Sequence, residues 1–175
     1  MEAVEASYRD PASMRRALDG VHTFFMIPVH EVPDRVEQHL AAVNAAVEAG
    51  VEQIVYSSFV GAAPDATFTF ARDHWHTEEH IRNTGLDFTF LRGNAYMDVP
   101  PWIGGSEGAI RGPAGDGRFD MVARDYVDDV AVSVLLSEGH SGVTYDVSGP
   151  ESLTMNQALL YGALRSCGRS CIASY

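Results

Sequence analysis

The feature that most constrains the fold is a strand–helix–strand pattern over residues 54–98. One apolar run ends at residues 57–59, a helical segment covers residues 70–84, and a second apolar run ends at residues 91–94. Two strands joined through a helix form a parallel crossover, and ligands bind where the carboxyl ends of such strands meet. Polar residues and glycine collect at these two ends, so the sequence predicts a ligand-binding edge there.

Further strands and helices are predicted on both sides of this crossover. The helices are predicted to begin at Asp10-Pro11, at Pro33-Asp34 and at a capping Asp125, and a Thr154–Gln157 capping box begins a last one. In the helix from residue 33 to residue 50, an apolar stripe is expected at Val36, Leu40, Val43 and Val47. Strands are predicted over residues 21–27, 51–57, 86–92, 118–123 and 143–147. This alternation predicts an α/β fold with a parallel sheet.

The charge balance limits the partners of the chain. Twelve basic residues stand against 24 acidic ones, which gives a formal net charge of -12. Phosphate backbones and anionic lipids repel such a chain, so neither nucleic-acid nor membrane binding is expected. No signal peptide precedes Tyr8 and no apolar run approaches a membrane span of about 18 residues, so a cytoplasmic location is expected.

The basic residues are all arginine, and this excludes several kinds of chemistry. Without a lysine, the chain can form no Schiff base and no Walker-type phosphate site. The Tyr-x-x-x-Lys pair of common short-chain dehydrogenases is excluded for the same reason.

The end of the chain differs in composition from the rest. Both cysteines, Cys167 and Cys171, fall among Arg and Ser in a segment without helical periodicity or strand alternation. We therefore expect a domain over residues 1–158, an irregular tail over residues 159–175, and no disulfide framework in the body of the protein. The four-residue spacing of the two thiols is interpreted as accidental.

A second chemical possibility is a metal site on the helix of residues 70–84. The run from His76 to His80 fits the His-x-x-Glu-His pattern of inverted zinc peptidases, with Glu79 between two histidines on one helical face. Such a site also needs a third, distant ligand and a large enclosing domain. The pattern favours incidental metal affinity over zinc catalysis, and no metal site is predicted.

Short motifs occur in a fixed order between residues 4 and 158. They are Tyr8-Arg9-Asp10-Pro11, residues 17–21, residues 50–58, His74 with Thr77-Glu78-Glu79, residues 85–92, residues 112–118, Asp125-Tyr126-Val127-Asp128-Asp129-Val130-Ala131 and residues 145–150. Together they resemble the NmrA-like, atypical short-chain dehydrogenase/reductase proteins, in particular the NAD(P)H:quinone oxidoreductase and azoreductase-like branch. No single motif is decisive, but the ordered set is specific.

The resemblance implies that three strand ends line the nicotinamide side of an NADP or NAD cofactor. The corresponding residues are Met26, Ile27, Pro28, Ser57, Ser58, Phe59, Gly93, Asn94 and Tyr96. His74 stands where the family often has a lysine that bonds the nicotinamide ribose, and a neutral imidazole can donate one such bond. The alternative for His74 is a surface histidine on an amphipathic helix. Tyr96 is the candidate catalytic residue, as a hydroxyl that supplies a proton.

The implied activity is NAD(P)H-dependent reduction of a quinone-like or azo acceptor by hydride transfer. Family members usually open with a Gly-x-x-Gly-x-x-Gly turn that holds the cofactor pyrophosphate, and this sequence has none. The resemblance therefore implies a doubly wound, Rossmann-like fold that is incomplete at both ends. We expect weak or absent dinucleotide binding and an open sheet edge that favours homo-oligomers. Two alternatives stay open, a nucleotide-binding redox sensor without turnover and a chain without activity.

Overall fold

The computed structural model describes residues 3–97 and 115–158. These residues divide into two compact units, one of residues 3–92 and 133–146 and the other of residues 93–97, 115–132 and 147–158. The loop-rich segment predicted between residues 94 and 117 therefore lies largely outside the described residues. The irregular tail over residues 159–175, with Cys167 and Cys171, lies outside them entirely.

Strands and helices alternate along the described chain. In order they are α1 (Pro11–Ala17), β1 (Thr23–Met26), α2 (Arg35–Glu48), β2 (Gln53–Phe59), α3 (Thr69–Thr84), β3 (Asp87–Gly93), β4 (Arg118–Phe119), α4 (Arg124–Leu136), β5 (Val143–Val147) and β6 (Leu153–Thr154). The main sheet is parallel, with strand order β1-β2-β3-β5, and it confirms the predicted α/β fold class. The short strands β4 and β6 form a separate antiparallel pair that the sequence did not indicate.

Local sequence signals fix several of these boundaries. Asp10 caps α1, because its Oδ1 accepts hydrogen bonds from the backbone N–H groups of Ala12 and Ser13 at 3.1 and 3.2 Å. Gly85 ends α3 in the left-handed conformation, with φ of +81°. The predicted capping box also forms, since Thr154 and Gln157 exchange side-chain-to-backbone bonds of 2.9 and 3.3 Å.

The apolar stripe predicted for α2 is only partly buried, with Val36 and Leu40 of intermediate exposure. Of its four apolar residues only Val43 is buried, and Val47 is 40% exposed. The buried face instead consists of Arg35, Gln38, His39, Ala42, Val43, Ala45 and Ala46. Small alanines let the helix pack closely, while the two large polar residues Arg35 and His39 find hydrogen-bond partners inside the first unit.

Two predicted boundaries are wrong. Helix α4 begins at Arg124, so Asp125 lies in its first turn and is not its cap. The strand predicted over residues 118–123 ends at Phe119, and Met121 and Val122 are buried beyond its end.

The core of the first unit is formed by one cluster of apolar side chains. Its members include Met14, Leu18, Met26, Val43, Val51, Ile54, Tyr56, Ile81 and Phe90. Helix α2 packs against both α1 and α3, and α3 packs on β2, so this layer of helices holds the strands that carry the predicted ligand edge. Among the helices of the described ranges, none is both long and apolar enough to cross a bilayer.

Candidate functional site

The carboxyl ends of β1 and β2 form the predicted ligand edge in the first unit. The two strands run parallel, with Met26 opposite Tyr56, so the residues that follow them emerge at the same edge. Met26 and Ser58 are buried there, with 0% and 4% exposure. Ile27, by contrast, is 60% exposed. The accessible residues of these ends are therefore Ile27 together with the partly exposed Pro28, Ser57 and Phe59.

The loop after β1 is held by three side chains that hydrogen-bond to its backbone. Arg35 Nε donates to the Val29 carbonyl at 2.9 Å, and the Val29 N–H donates to His39 Nε2 at 3.1 Å. Tyr8 donates its hydroxyl proton to the Ile27 carbonyl at 3.0 Å, and burial raises the pKa of Tyr8 to about 12. The backbone that presents Ile27 and Pro28 is thus fixed on both sides. Sequence reasoning did not identify Arg35, His39 or Tyr8 as part of this edge.

His74 lies inside the first unit, with 1% exposure, so the surface alternative is wrong. Its Nε2 accepts from Arg35 Nη2 at 3.0 Å, because a guanidinium only donates. The neutral ring then carries its proton on Nδ1, which lies 2.9 Å from the Tyr56 hydroxyl. Neither ring nitrogen is free, so a bond to a ribose would have to displace one of these partners. The predicted ribose contact stays a prediction.

His39 is a second buried, neutral histidine. Its Nδ1 lies 3.0 Å from Thr77 Oγ1, which in turn donates to the Asp73 carbonyl at 3.0 Å. Because Nε2 accepts from a backbone N–H, Nδ1 is the protonated nitrogen. Burial, and secondly the charge of Arg35, lower the pKa of His39 to about 3 and that of His74 to about 2. The same causes keep both rings neutral at physiological pH.

Arg35, which contacts both the loop after β1 and His74, is a fully buried charged side chain, and it is paired with a carboxylate. Its Nη1 lies 3.3 Å from Asp73 Oδ2, and Asp73 is 35% exposed while Arg35 is 1% exposed. Its guanidinium carbon also lies 4.1 Å from the centre of the Phe70 ring, a cation–π distance. One side chain of α2 therefore contacts the loop after β1, the histidine of α3 and an aromatic ring at the start of α3.

A buried carboxylate joins β2, α3 and β3. Glu78 has no exposed side-chain surface, and it accepts bonds from Ser58 Oγ at 2.6 Å and from Arg92 Nε and Nη2 at 2.9 and 2.6 Å. Arg82 adds a longer contact of 3.3 Å. The bonds to Glu78 raise the pKa of Arg92. The Ser58 hydroxyl is engaged in this cluster, so its predicted cofactor contact stays a prediction.

The residues of the zinc-peptidase pattern have other partners. Glu79 bonds to Arg82 at 2.5 Å, and His80 Nε2 lies 2.8 Å from Asn44 Oδ1. Across residues 3–97 and 115–158, no group of three or more His, Cys, Asp or Glu side chains is arranged to hold a metal ion.

Asn94 follows β3 in the second unit and is tied down locally. Its N–H donates to the Val147 carbonyl at 2.9 Å, and its Nδ2 donates to Ser148 Oγ at 3.2 Å. Its Oδ1 accepts from the next backbone N–H, that of Ala95, at 2.8 Å. The side chain of Asn94 therefore shapes the strand end, and its predicted cofactor contact stays a prediction.

Tyr96 covers the end of β3 in the same unit. A Cβ placed on Gly93 would lie 3.6 Å from the Tyr96 hydroxyl, an ordinary van der Waals distance, so the Tyr96 ring lies beside Gly93. The guanidinium carbon of Arg124 lies 5.2 Å from the centre of the Tyr96 ring. Tyr96 also forms a parallel bridge with Val122. Its catalytic role stays a prediction.

Comparison with known proteins shows the family of this chain. The model of the NmrA-like family matches residues 1–100. The chain belongs to the NmrA-like family. It is 32% identical over 158 residues to quinone oxidoreductase 2 of Escherichia coli K12, covering 87% of this chain and 54% of that protein. It is 28% identical over 158 residues to the NAD(P)H azoreductase of Xenophilus azovorans, covering 88% of this chain and 54% of that protein.

Solved structures of related reductases have the same fold. The NADPH complex of the Escherichia coli NADPH-dependent quinone oxidoreductase superposes with a TM-score of 0.81 at 30% identity, covering 93% of this chain and 58% of that one. The NADP(H) complex of Citrobacter triphenylmethane reductase gives 0.79 at 31%, covering 89% and 56%. The resemblance inferred from the ordered motifs is confirmed. The chain spans about half the length of the curated relatives that it matches.

Proposed function

We propose that this protein acts in the NAD(P)H-dependent reduction of a quinone-like or azo acceptor. The observation that carries the proposal is the similarity of most of this chain to a quinone reductase whose structure holds NADPH. When bound, a reduced nicotinamide supplies a hydride, and a quinone that accepts it takes one further proton from solvent or a hydroxyl to become the hydroquinone.

The accessible strand ends suit the nicotinamide end of such a cofactor. Ile27 offers an exposed apolar side chain, and the partly exposed Ser57 and Phe59 add a hydroxyl and a ring. A flat, weakly polar ring fits this combination of groups. The pyrophosphate does not fit these two strand ends, because Arg35 is committed to Asp73 and no glycine-rich turn follows either strand.

The chain's own residues have three tasks in this proposal. Ile27, Pro28, Ser57 and Phe59 would contact the nicotinamide portion of NADP or NAD. Arg35 and His39 would keep the loop after β1 in place, because they hold both backbone groups of Val29. In the second unit, Tyr96 is the proposed source of a proton for the reduced acceptor. The cytoplasmic location and the homo-oligomer expected from the sequence also stay proposals.

Two measurements on the 175-residue protein test the proposal. Calorimetric titration with NADPH and NADH measures cofactor binding, and the absorbance of the reduced nicotinamide then follows its oxidation with menadione or methyl red. We expect binding in the millimolar range and oxidation that requires the acceptor. Binding without oxidation would favour the redox-sensor alternative, and the absence of both would overturn the proposal.

A matched pair of variants tests the proposed proton source. Tyr96→Phe removes the hydroxyl and keeps the ring, so turnover should fall while the Kd for NADPH is unchanged. Tyr126→Phe removes a hydroxyl from a tyrosine that is 54% exposed on α4, and it should leave both quantities unchanged. Equal turnover for the two variants would remove Tyr96 from the proposal.

A further inference from the structure

Three phenylalanine rings meet beside the ligand edge of the first unit. Phe59 ends β2, Phe70 lies in the first turn of α3, and Phe68 precedes that helix. The Phe59 ring centre lies 5.7 Å from that of Phe68 and 5.4 Å from that of Phe70, and the other two are 5.8 Å apart. These distances are those of interacting aromatic pairs, so the three rings form one cluster, here called the phenylalanine platform.

One ring of the platform is exposed to solvent, and another ring packs against buried side chains. Phe68 is 54% exposed, although large apolar side chains are usually placed inside a folded domain. Phe70 contacts the Arg35 guanidinium at 4.1 Å and the His74 ring at 4.7 Å, both from buried side chains. Arg35 and His74 are each 1% exposed, so they give Phe70 a fixed support. A rigid ring that binds a ligand loses little conformational entropy, which is the condition for a pre-organised site.

The location of the platform distinguishes it from an ordinary exposed side chain. Phe59 directly follows Ser57-Ser58 at the carboxyl end of β2, where ligands of parallel α/β sheets bind. The platform itself carries no charged group, and the cation beneath Phe70 is paired with Asp73. Such a surface does not favour a phosphate or an acidic peptide, and it favours an uncharged ring.

We propose that the phenylalanine platform binds the aromatic or quinonoid ring of the electron acceptor. This inference rests on the proposed function and names its acceptor subsite. Relatives and structural neighbours are named as quinone, azo-dye and triphenylmethane-dye reductases, whose acceptors have flat conjugated rings in common. Stacking on Phe68 explains how one site accepts acceptors that share a ring and no particular polar group.

The test measures acceptor binding directly, without cofactor and without turnover. Menadione is titrated by calorimetry into the wild type, Phe68→Leu, Phe68→Trp and Tyr126→Leu. Tyr126 is the matched control, because it has the same 54% exposure and lies on α4 in the second unit. Because Phe68 is half exposed, Phe68→Leu should stay folded, and loss of its contacts with Phe59 and Phe70 should lower the melting temperature by only about 2–4 °C.

We expect Phe68→Leu to weaken menadione binding by about threefold to tenfold, since one aromatic contact contributes about that factor. Phe68→Trp should bind menadione at least as tightly as the wild type, and Tyr126→Leu should bind it equally well. The Kd for NADPH should be the same in all four proteins. An unchanged menadione Kd in Phe68→Leu would overturn the inference, and so would a wild type that does not bind menadione.

The outcomes separate this inference from the proposed function. If Phe68→Leu weakens NADPH binding and leaves menadione binding unchanged, the platform belongs to the cofactor and the inference is wrong. If menadione binding depends on Phe68 but NADPH is never oxidised, the acceptor subsite stands and the proposed function fails.

Discussion

Acid should destabilise the first unit because it buries two neutral histidines. His39 has Arg35 and Thr77 as neighbours, and His74 has Arg35, Tyr56 and the nearby Asp73. Burial lowers the pKa of His39 to about 3 and that of His74 to about 2, against an ordinary value of 6.5. Below that ordinary value the unfolded chain binds two protons that the folded protein does not bind. The stability that the two neutral histidines contribute is therefore fully present above the pKa of an unfolded histidine, and it is lost as the pH falls below that value.

The magnitude follows from proton linkage. Between about pH 7 and pH 5, protonation of one unfolded histidine lowers the free energy of unfolding by about 2 kcal/mol, so the pair lowers it by about 4 kcal/mol. Protonation of the folded protein does not offset this loss of stability between pH 7 and pH 5, because the pKa values of both folded histidines lie well below that range. His80, whose pKa is also lowered by burial, adds to the change in the same direction.

Urea unfolding followed by circular dichroism at several pH values measures this change. With a slope of about 2 kcal/mol per molar urea, the midpoint should fall by about 2 M between the two pH values. His39→Gln keeps an acceptor for Val29 and a donor for Thr77 but cannot titrate, so its loss should be about half as large. His22→Gln, at an exposed position, should show the full loss. A midpoint that stays constant or rises on acidification would refute the reasoning.

Three further predictions concern the buried carboxylate, the second unit and the cofactor. Glu78→Gln should lower the free energy of unfolding by about 2–3 kcal/mol, since it breaks a buried ion pair whose arginine partners stay partly hydrated. The control Glu79→Gln should lower it by less than about 1 kcal/mol, and denaturation curves of the two variants test the difference. Gly149→Ala should cost about 3 kcal/mol in the same assay, because its Cβ would lie 1.9 Å from the Met121 carbonyl oxygen, and a wild-type melting curve would contradict this packing. Reduced nicotinamide mononucleotide should replace NADPH with a loss in kcat/KM of less than about tenfold, because the strand ends suit only the nicotinamide part of the cofactor. A larger loss in steady-state assays would show that the protein also binds the adenylate half.

Much of the fold follows from local signals in the sequence. The cap at Asp10, the left-handed Gly85 and the Thr154–Gln157 box set helix boundaries through bonds between near neighbours. Strand β4 was predicted as part of a longer strand, but β6 and its pairing with β4 were missed, because a strand of two residues is too short to show alternation.

The candidate site was only partly predictable, because its polar contacts join distant parts of the chain. The strand ends were located from the sequence, since apolar runs and turn residues mark them. Arg35 was not, because a charged residue near a helix start is normally exposed, and here its partners Asp73 and His74 lie 38 and 39 residues further along. For the same reason His74 was placed on the surface or at a ribose, while its bonds to Arg35 and Tyr56 place it inside.

The most direct test of the central claim is oxidation of NADPH by the purified protein in the presence of menadione. The rate is followed as the loss of nicotinamide absorbance, with the uncatalysed reaction subtracted and with Tyr96→Phe as the comparison. We predict oxidation that is proportional to protein concentration, saturates with menadione and slows in Tyr96→Phe. A rate equal to the uncatalysed reaction at millimolar NADPH would contradict the proposal that this protein acts as an NAD(P)H-dependent reductase.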